Sequence, residues 1–156
     1  MNKKLVSLSL LFAAAAASFP AFAITGSITK NSAAPTIGIL SNGTGPVGLT
    51  NFLINSSDSL SGTASKTKTL TLVRYNIAAY PSASSDLVQL CYYLPFQASP
   101  AKCVTVNSGA SSTTPAFNSY ELKSGVELQV RHTITGSAGT QAQPSSQESV
   151  TVEYSY

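Results

Sequence analysis

The sequence predicts an all-β chain that folds as an antiparallel β-sandwich of about seven or eight strands. Apolar and polar residues alternate strictly in two segments near the C-terminus, residues 126–134 and residues 150–156. Successive side chains of a strand point to opposite faces of a sheet, so the alternation gives each segment one apolar face. After residue 23, no segment has the spacing of apolar residues that marks an amphipathic helix. We therefore expect short strands joined by turns, with a small closed barrel as the alternative architecture.

The N-terminal residues predict export. Two lysines precede an apolar run over residues 5–17, and residues 21–23 match the A-x-A pattern of a signal-peptide cleavage site. Such a segment is a secretory signal peptide, too short and wrongly flanked for a membrane anchor. We therefore divide the chain into a signal peptide, residues 1–23, and a single β-sandwich domain, residues 24–156. No later segment is apolar over the length that a membrane span requires.

The composition argues against nucleic acid as a partner. Charged residues make up 10% of the chain, far below the roughly 25% of a typical soluble domain. Removing the predicted signal peptide also removes two lysines, so the net charge falls from +3 to about +1. The remaining basic residues form no patch of the kind that binds nucleic acid.

The other strands are predicted from short apolar patterns bounded by turn residues. Ile37 and Ile39 share one face of their segment, and Leu49 and Leu53 help to set the inward face of the next. In the long central segment the apolar face changes near Leu72–Val73, which predicts a bulge or a bend. These strands are residues 24–30, 36–40, 47–54, 66–80, 87–94 and 103–106, and residues 31–35, 107–115 and 136–147 are predicted turns or loops.

Two cysteines, Cys91 and Cys103, are predicted to form a disulfide. An even number of cysteines in an exported chain favours a disulfide. The two residues lie on neighbouring predicted strands, where cross-strand neighbours have the Cα separation that a disulfide needs. A metal or redox pair is the alternative, but the chain has one histidine and no second cysteine pair to complete a zinc site. We expect no metal and no cofactor.

The single histidine, His132, is the residue that any histidine-based catalysis would use. It lies at an inward-facing position, and we expect a partly buried side chain near the end of a sheet. The alternative is a catalytic base that is held by Asp58 or Asp86 and activates a serine. The sequence has neither a G-x-S-x-G nor an H-E-x-x-H motif, and its carboxylates do not come in close pairs. We therefore predict that the protein is not an enzyme.

Four tyrosines in the central strands are candidates for a binding surface. Aromatic side chains offer platforms for sugars and bases, whereas tyrosines in strands ordinarily pack with the hydroxyl at the rim. We expect packing, and a lectin-like platform is the alternative. The four residues are Tyr75, Tyr80, Tyr92 and Tyr93.

Both ends of the predicted domain resemble those of chaperone–usher pilus subunits. SVTVEYSY at residues 149–156 resembles the last strand of such subunits, and ITGSITK at residues 24–30 resembles a short donor strand. In that family each subunit is an incomplete, immunoglobulin-like sandwich, which the N-terminal strand of the next subunit completes by strand addition. The resemblance implies the donor residues Ile24, Gly26 and Ile28 and the acceptor-edge residues Val150, Val152, Tyr154 and Tyr156.

The resemblance further implies a pilin-like structural or adhesive subunit of a fimbrium on a Gram-negative bacterium, exported through the periplasm. Its partners would be copies of itself or other pilus subunits, a periplasmic chaperone and an outer-membrane usher. Two alternatives use the same fold. One is a self-complete secreted binding module that is lectin-like or interacts with a host. The other is a small hydrolase that uses His132.

Overall fold

The structure, a computed structural model, describes residues 24–156, and its regular structure is almost entirely strand. The predicted signal peptide lies outside the described residues. The strands are β1 (Thr25–Ala33), β2 (Ile37–Gly38), β3 (Gly48–Leu53), β4 (Lys68–Asn76), β5 (Ser85–Tyr93), β6 (Lys102–Val106), β7 (Ser111–Thr114), β8 (Glu121–Leu122), β9 (Glu127–Thr135), β10 (Gln141–Ala142) and β11 (Gln147–Ser155). One 3-10 turn, Ser56–Asp58, lies between β3 and β4 in this part of the chain. Over residues 24–156, no helix has the length and apolar character needed to cross a membrane.

Two antiparallel sheets enclose one large apolar core between them. The first sheet has the strand order β1–β11–β4–β7, and the short β8 also pairs with β4. The second sheet has the order β3–β9–β5–β6, and a separate pairing joins β10 to β2. All of these pairings are antiparallel, so the predicted all-β antiparallel sandwich is confirmed.

The core is filled by alternate side chains of the facing strands. Along β11, every second side chain is buried, as the sequence alternation predicts. The largest fully buried side chains include Tyr92, Tyr154, Phe52 and Phe117, which come from both sheets and from the loop before β8. Complete burial of a phenylalanine side chain contributes roughly 1.5–3 kcal/mol, so Phe52 and Phe117 each stabilise the sandwich by about that amount.

The predicted irregularity in the central strand is a β-bulge in β4. Glu153 of β11 lies opposite Leu72, but the next residue of β11 lies opposite Leu70, so Thr71 is the extra residue. The inserted residue changes the phase of the strand. Leu70 and Val73 are consequently both buried although they are three positions apart, which confirms the predicted change of face.

The inward face of β3 is the opposite of the predicted one. Leu49 and Leu53 are each 46% exposed, whereas Thr50 and Phe52 are buried. Phe52 is the largest apolar side chain of the strand and lies in the core. Its position determines which residues of β3 face inward and which face outward. Two leucines therefore lie on the outer face of the second sheet.

Polar segments contain more strand structure than the sequence predicts. β1 continues to Ala33, into the predicted turn at residues 31–35, while β7 and β10 lie in the predicted loops at residues 107–115 and 136–147. The predicted strand at residues 36–40 is reduced to β2. Serine- and threonine-rich strands have no apolar alternation, and their positions depend on the strands with which they pair.

Candidate functional site

His132 on β9 lies in the core between two carboxylates that come from different sheets. Its Nδ1 atom is 3.0 Å from each carboxylate oxygen of Asp86 on β5, and its Nε2 atom is 2.8 Å from Oε1 of Glu148 on β11. The side chain of His132 is 0% exposed, so the expectation of a partly buried histidine is wrong. Because Glu148 belongs to the first sheet and the other two residues to the second, the cluster ties the two sheets together.

The contacts of His132 determine its charge. Both ring nitrogens face carboxylate oxygens, which accept hydrogen bonds, so both nitrogens carry a proton. Burial alone lowers the pKa of His132, but the hydrogen bonds and the charges of Asp86 and Glu148 outweigh burial and raise the pKa from 6.5 to about 9. The ring is therefore a buried cation at neutral pH.

Further hydrogen bonds hold the two carboxylates in place. The Ser108 hydroxyl donates to Oδ2 of Asp86 at 2.6 Å, and the backbone N–H of Ala78 donates to Oε1 of Glu148 at 3.1 Å. Oε2 of Glu148 has no hydrogen-bond partner among the described residues. All but one of the carboxylate oxygens are thus bound within the protein, as buried polar groups generally are.

The geometry of this cluster is not that of a nucleophile and its base. A catalytic serine donates to the histidine, whereas the Ser108 hydroxyl donates to Asp86 and both nitrogens of His132 are occupied. Of the two aspartates considered for such a site, Asp86 contacts the histidine and Asp58 pairs with Lys30 at 2.6 Å. Over residues 24–156, no group of three or more His, Cys, Asp or Glu side chains is arranged to hold a metal ion. The contacts of His132 with Asp86 and Glu148 connect the two sheets of the sandwich.

Glu148 is the member of this cluster that the sequence prediction missed. It lies two residues before Val150 in the alternation of β11, so its side chain faces the core and is 0% exposed. A buried carboxylate needs a positive or hydrogen-bonding partner. His132 likewise lies at an inward-facing position in the alternation of β9. Two polar residues at inward-facing positions of two strands are the feature of the sequence from which the contact could have been predicted.

The predicted donor and acceptor segments pair with each other within one chain. β1 runs antiparallel to β11 along the full length of β1 without a shift in register. The predicted residues are opposed as Ile24 with Tyr156, Gly26 with Tyr154 and Ile28 with Val152, and Val150 lies opposite Lys30. Because β1 and β4 flank β11, this strand is interior and does not present the open acceptor edge that the resemblance implies.

Gly26 fits the close approach of Tyr154. A Cβ atom at Gly26 would lie 2.6 Å from both Cζ and Oη of the tyrosine. The ring of Tyr154 is buried and stacks on Tyr156 with the centroids 6.1 Å apart. The ammonium of the buried Lys68 donates to the carbonyl of Thr63 and lies 6.0 and 5.9 Å from the centroids of the two tyrosine rings. The aromatic end of the chain is thus fixed on its own sheet.

The four candidate tyrosines do not form a single platform. Tyr80 and Tyr92 are buried, and each hydroxyl donates to a backbone carbonyl at 2.5 Å. Tyr75 packs against the core. Tyr93 lies on the outer face of the second sheet, where its hydroxyl donates to Oε1 of Gln129 at 3.0 Å. Packing therefore accounts for three of these residues, and Tyr93 alone contributes to a surface.

A fully exposed phenylalanine stands in the turn after β5. Phe96 is 104% exposed, and its φ of 60° lies in the left-handed region that residues other than glycine rarely adopt. Pro95 precedes it, and the N–H of Gln97 donates to the carbonyl of Leu94 at 3.2 Å. These features describe a type II turn with Phe96 at the position that favours glycine. Strained positions of this kind cluster at functional sites.

Phe96 borders a groove of about 410 Å³ at one end of the second sheet. Leu53 and Leu94, which are 46% and 40% exposed, form apolar walls together with Tyr93. Glu127 also lines the groove, and no ion pair engages its carboxylate within residues 24–156. The groove thus combines an apolar surface with a negative charge at its margin.

The predicted disulfide between Cys91 and Cys103 is confirmed. The two cysteines are directly opposed on β5 and β6 and close a loop with a sequence separation of 12 residues. Phe96 lies inside this closed loop. The disulfide therefore restricts the segment that carries the exposed aromatic side chain.

Comparisons with known proteins inform the fold alone. No protein-family model and no curated protein matches the sequence. Among solved structures, the chain is similar to the crystal structure of FlhE, with a TM-score of 0.58 and 15% sequence identity. The match covers 85% of this chain and 98% of the FlhE chain. The arrangement of strands described above therefore has a counterpart of nearly the same extent in another protein.

Proposed function

We propose that this chain is an exported, non-catalytic binding module whose sandwich is complete within one chain. The main support for this function is the conformation of Phe96, whose side chain is 104% exposed and whose backbone conformation favours glycine. The left-handed backbone alone costs on the order of 1–3 kcal/mol, and the exposed ring adds an unfavourable apolar surface. Both features are explained if the ring inserts into a partner, since rigid aromatic side chains are frequent anchors of interfaces.

The groove beside Phe96 suggests the chemistry of that partner. Leu53 and Leu94 provide apolar contacts, and Glu127 provides a carboxylate without an intramolecular ion pair. An extended segment of another protein fits this surface if it carries an apolar or aromatic side chain beside a lysine or arginine. The groove has few hydrogen-bonding side chains besides Gln97 and Glu127, which favours a peptide over a sugar.

The turn that carries Phe96 is held in place before any partner binds. Gly125 has a φ of 88°, and a Cβ atom there would lie 3.1 Å from Cβ of Pro95. The two turns therefore pack directly against each other. A turn that is already ordered loses little conformational entropy on binding, which favours affinity.

Selection from a random peptide library displayed on phage tests this function. We expect enriched peptides with an apolar residue next to a basic one, and Phe96→Ser should weaken their binding at least about tenfold. Leu87→Ser is the matched control, because Leu87 is a 54% exposed leucine on the same sheet that does not line the groove. Glu127→Gln should reduce the preference for basic residues. A library that yields no binder, or binders that Phe96→Ser leaves unaffected, would contradict the proposal.

A second candidate is the pilus or fimbrial subunit, in which β1 would be exchanged between copies after delivery by a chaperone and an usher. It is supported by the continuous pairing of β1 with β11, the two segments that the resemblance names as donor and acceptor. Within β1, Ile28 is the one buried side chain, so backbone hydrogen bonds provide most of the attachment. The same bonds would form with the β1 strand of another copy.

Locking β1 onto its own chain separates the two candidates. The hydroxyls of Thr29 and Thr151 are 2.8 Å apart, so Thr29→Cys together with Thr151→Cys should form a disulfide within one chain. Strand exchange predicts a ladder of multiples on an unheated denaturing gel for the wild-type protein. The ladder should be absent from the oxidised double variant, reappear on reduction, and be lost on deletion of residues 24–30. A single band at monomer mass in every sample would remove this candidate.

A further inference from the structure

The outer edge of β1 has no strand partner among residues 24–156. Ile24 and Tyr156 exchange two backbone hydrogen bonds, so the even-numbered residues of this segment direct their backbone groups to β11. The odd-numbered residues direct their N–H and C=O groups away from the sheet. These residues are Thr25, Ser27, Thr29, Asn31 and Ala33, and all of their side chains are exposed.

β1 has fewer of the features that normally protect an edge than the other outer strands. It contains nine residues and no proline, whereas β3, β6 and β7 contain six, five and four residues. Natural sheet edges are commonly kept short or carry proline, bulges or free charges that prevent pairing. The one charged side chain of β1 is Lys30, whose ammonium is held 2.6 Å from Asp58 in the same chain. A strand added to this edge therefore meets no free charge.

We propose that β1 pairs with β1 of a second copy, antiparallel across a two-fold axis at Thr29. Complete overlap about this axis places Thr25 opposite Ala33 and Ser27 opposite Asn31. β1 begins and ends on odd-numbered residues, whose N–H and C=O groups point away from β11. Complete overlap therefore places each of these residues opposite an odd-numbered residue of the other copy. The first sheets of the two copies then join into one continuous sheet.

The side chains are compatible with this register. Lys30 of one copy lies opposite Ile28 of the other, so like charges do not face each other. Most of the odd-numbered residues have small, polar side chains, and cross-strand pairs of such side chains can form hydrogen bonds with each other. The two-fold symmetry makes the same surface sufficient on both copies, which is the usual form of a homodimer. The pairing leaves β1 in its own sandwich and uses a different sheet from the groove at Phe96.

A proline at Thr29 tests the dimer directly. The N–H of Thr29 points away from β11, so Thr29→Pro removes both hydrogen bonds that the two Thr29 residues exchange at the axis and keeps the bonds within each chain. Thr29→Val is the matched control, since it removes the hydroxyl that bonds Thr151 but keeps the N–H. In sedimentation equilibrium, the wild-type protein and Thr29→Val should both dimerise. Thr29→Pro should raise the dissociation constant at least about tenfold with an unchanged circular dichroism spectrum.

A charged pair provides a second test if the proline variant does not fold. Ser27→Lys with Asn31→Lys brings four lysines together across the axis and should abolish the dimer. Thr71→Lys, on the outer face of the same sheet, should leave it intact. A wild-type protein that stays monomeric up to about 1 mM would overturn the dimer. The proposed interface would also be overturned if neither Thr29→Pro nor the lysine pair changes the dimer. It would likewise be overturned if Phe96→Ser disrupts the dimer.

Discussion

The buried ion pairs of His132 predict that the free energy of unfolding falls as the pH rises above neutrality. The pKa of His132 is about 9 in the folded chain and returns to its ordinary value of 6.5 on unfolding. The stabilisation is therefore fully present below pH 6.5 and is lost as the pH rises through 9, because within that window only the folded chain retains the proton. The difference between the two pKa values corresponds to about 3 kcal/mol.

Urea unfolding at a series of pH values from 6 to 9.5 measures this loss. The wild-type protein should lose about 3 kcal/mol across the series, most of it above pH 7. His132→Gln has no imidazole proton to lose and should show no such dependence. It should also be less stable at pH 7 by about 3–5 kcal/mol, because Asp86 and Glu148 lose their cation.

The buried tyrosines do not interfere with this measurement. Burial is the main cause that raises the pKa of Tyr92, to about 12, and it also raises that of Tyr80. A tyrosine with a raised pKa in the folded chain lowers the free energy of unfolding only at pH values where the unfolded tyrosine ionises, above about pH 10. Asp86→Asn should narrow the pH range over which the free energy of unfolding falls, because it neutralises one of the two carboxylates that raise the pKa of His132. A wild-type stability that is flat from pH 7 to 9, or a decline that persists in His132→Gln, would refute the role assigned to the cluster.

Three further predictions concern stability and can be measured by urea unfolding at neutral pH. Gly26→Ala should destabilise by about 1–3 kcal/mol, because its Cβ would lie 2.6 Å from the buried Tyr154 ring, whereas Gly38→Ala, with no atom within 4 Å of its Cβ, should be close to neutral. Equal effects of the two changes would contradict the close fit of Gly26. Replacing Cys91 and Cys103 together by alanine should cost about 2–3 kcal/mol, and a reductant should have no further effect on that variant. Thr50→Val should stabilise by about 1 kcal/mol, since the buried Thr50 hydroxyl has no partner among the described residues. Thr29→Val, at an exposed threonine, should show no such gain.

The parts of the fold that the sequence predicts well are those with alternating apolar residues. β9 and β11 are predicted mainly from their alternation, and their bounds differ from the predicted segments by one to three residues at each end. The disulfide followed from the pairing of two neighbouring strands. In each case the local pattern and the tertiary contact require the same conformation, so no competing force changes the outcome.

The errors occur where the local pattern leaves two arrangements open. β3 contains apolar residues on both faces, and the choice depends on whether Phe52 or the two leucines fill the core between the sheets. β7 consists of serine and threonine, and only its pairing with β4 makes it a strand. Neither choice is encoded within the segment itself, because each depends on the shape of the neighbouring surface.

The candidate sites were harder to predict because they depart from the local rules. Phe96 follows a proline at a turn position where the positive φ favours glycine. The turn that carries it packs against Gly125, which is distant in the sequence. Glu148 carries a charge at an inward position of an apolar alternation, and its partner lies 16 residues away on another sheet. Such departures are expected where a residue serves binding or joins distant elements.

The pairing of β1 with β11 predicts that the two proposed associations, at Phe96 and at the outer edge of β1, gain more free energy than exchange of β1 between copies. Exchange of β1 between copies replaces each backbone hydrogen bond within a chain by the same bond between chains, so it adds few contacts and is driven mainly by concentration. Pairing at the outer edge of β1 adds hydrogen bonds that the single chain does not make. The proposed binding at Phe96 would likewise remove an exposed apolar surface from water. A sandwich that is already complete therefore gains more free energy from partners that leave its strands in place.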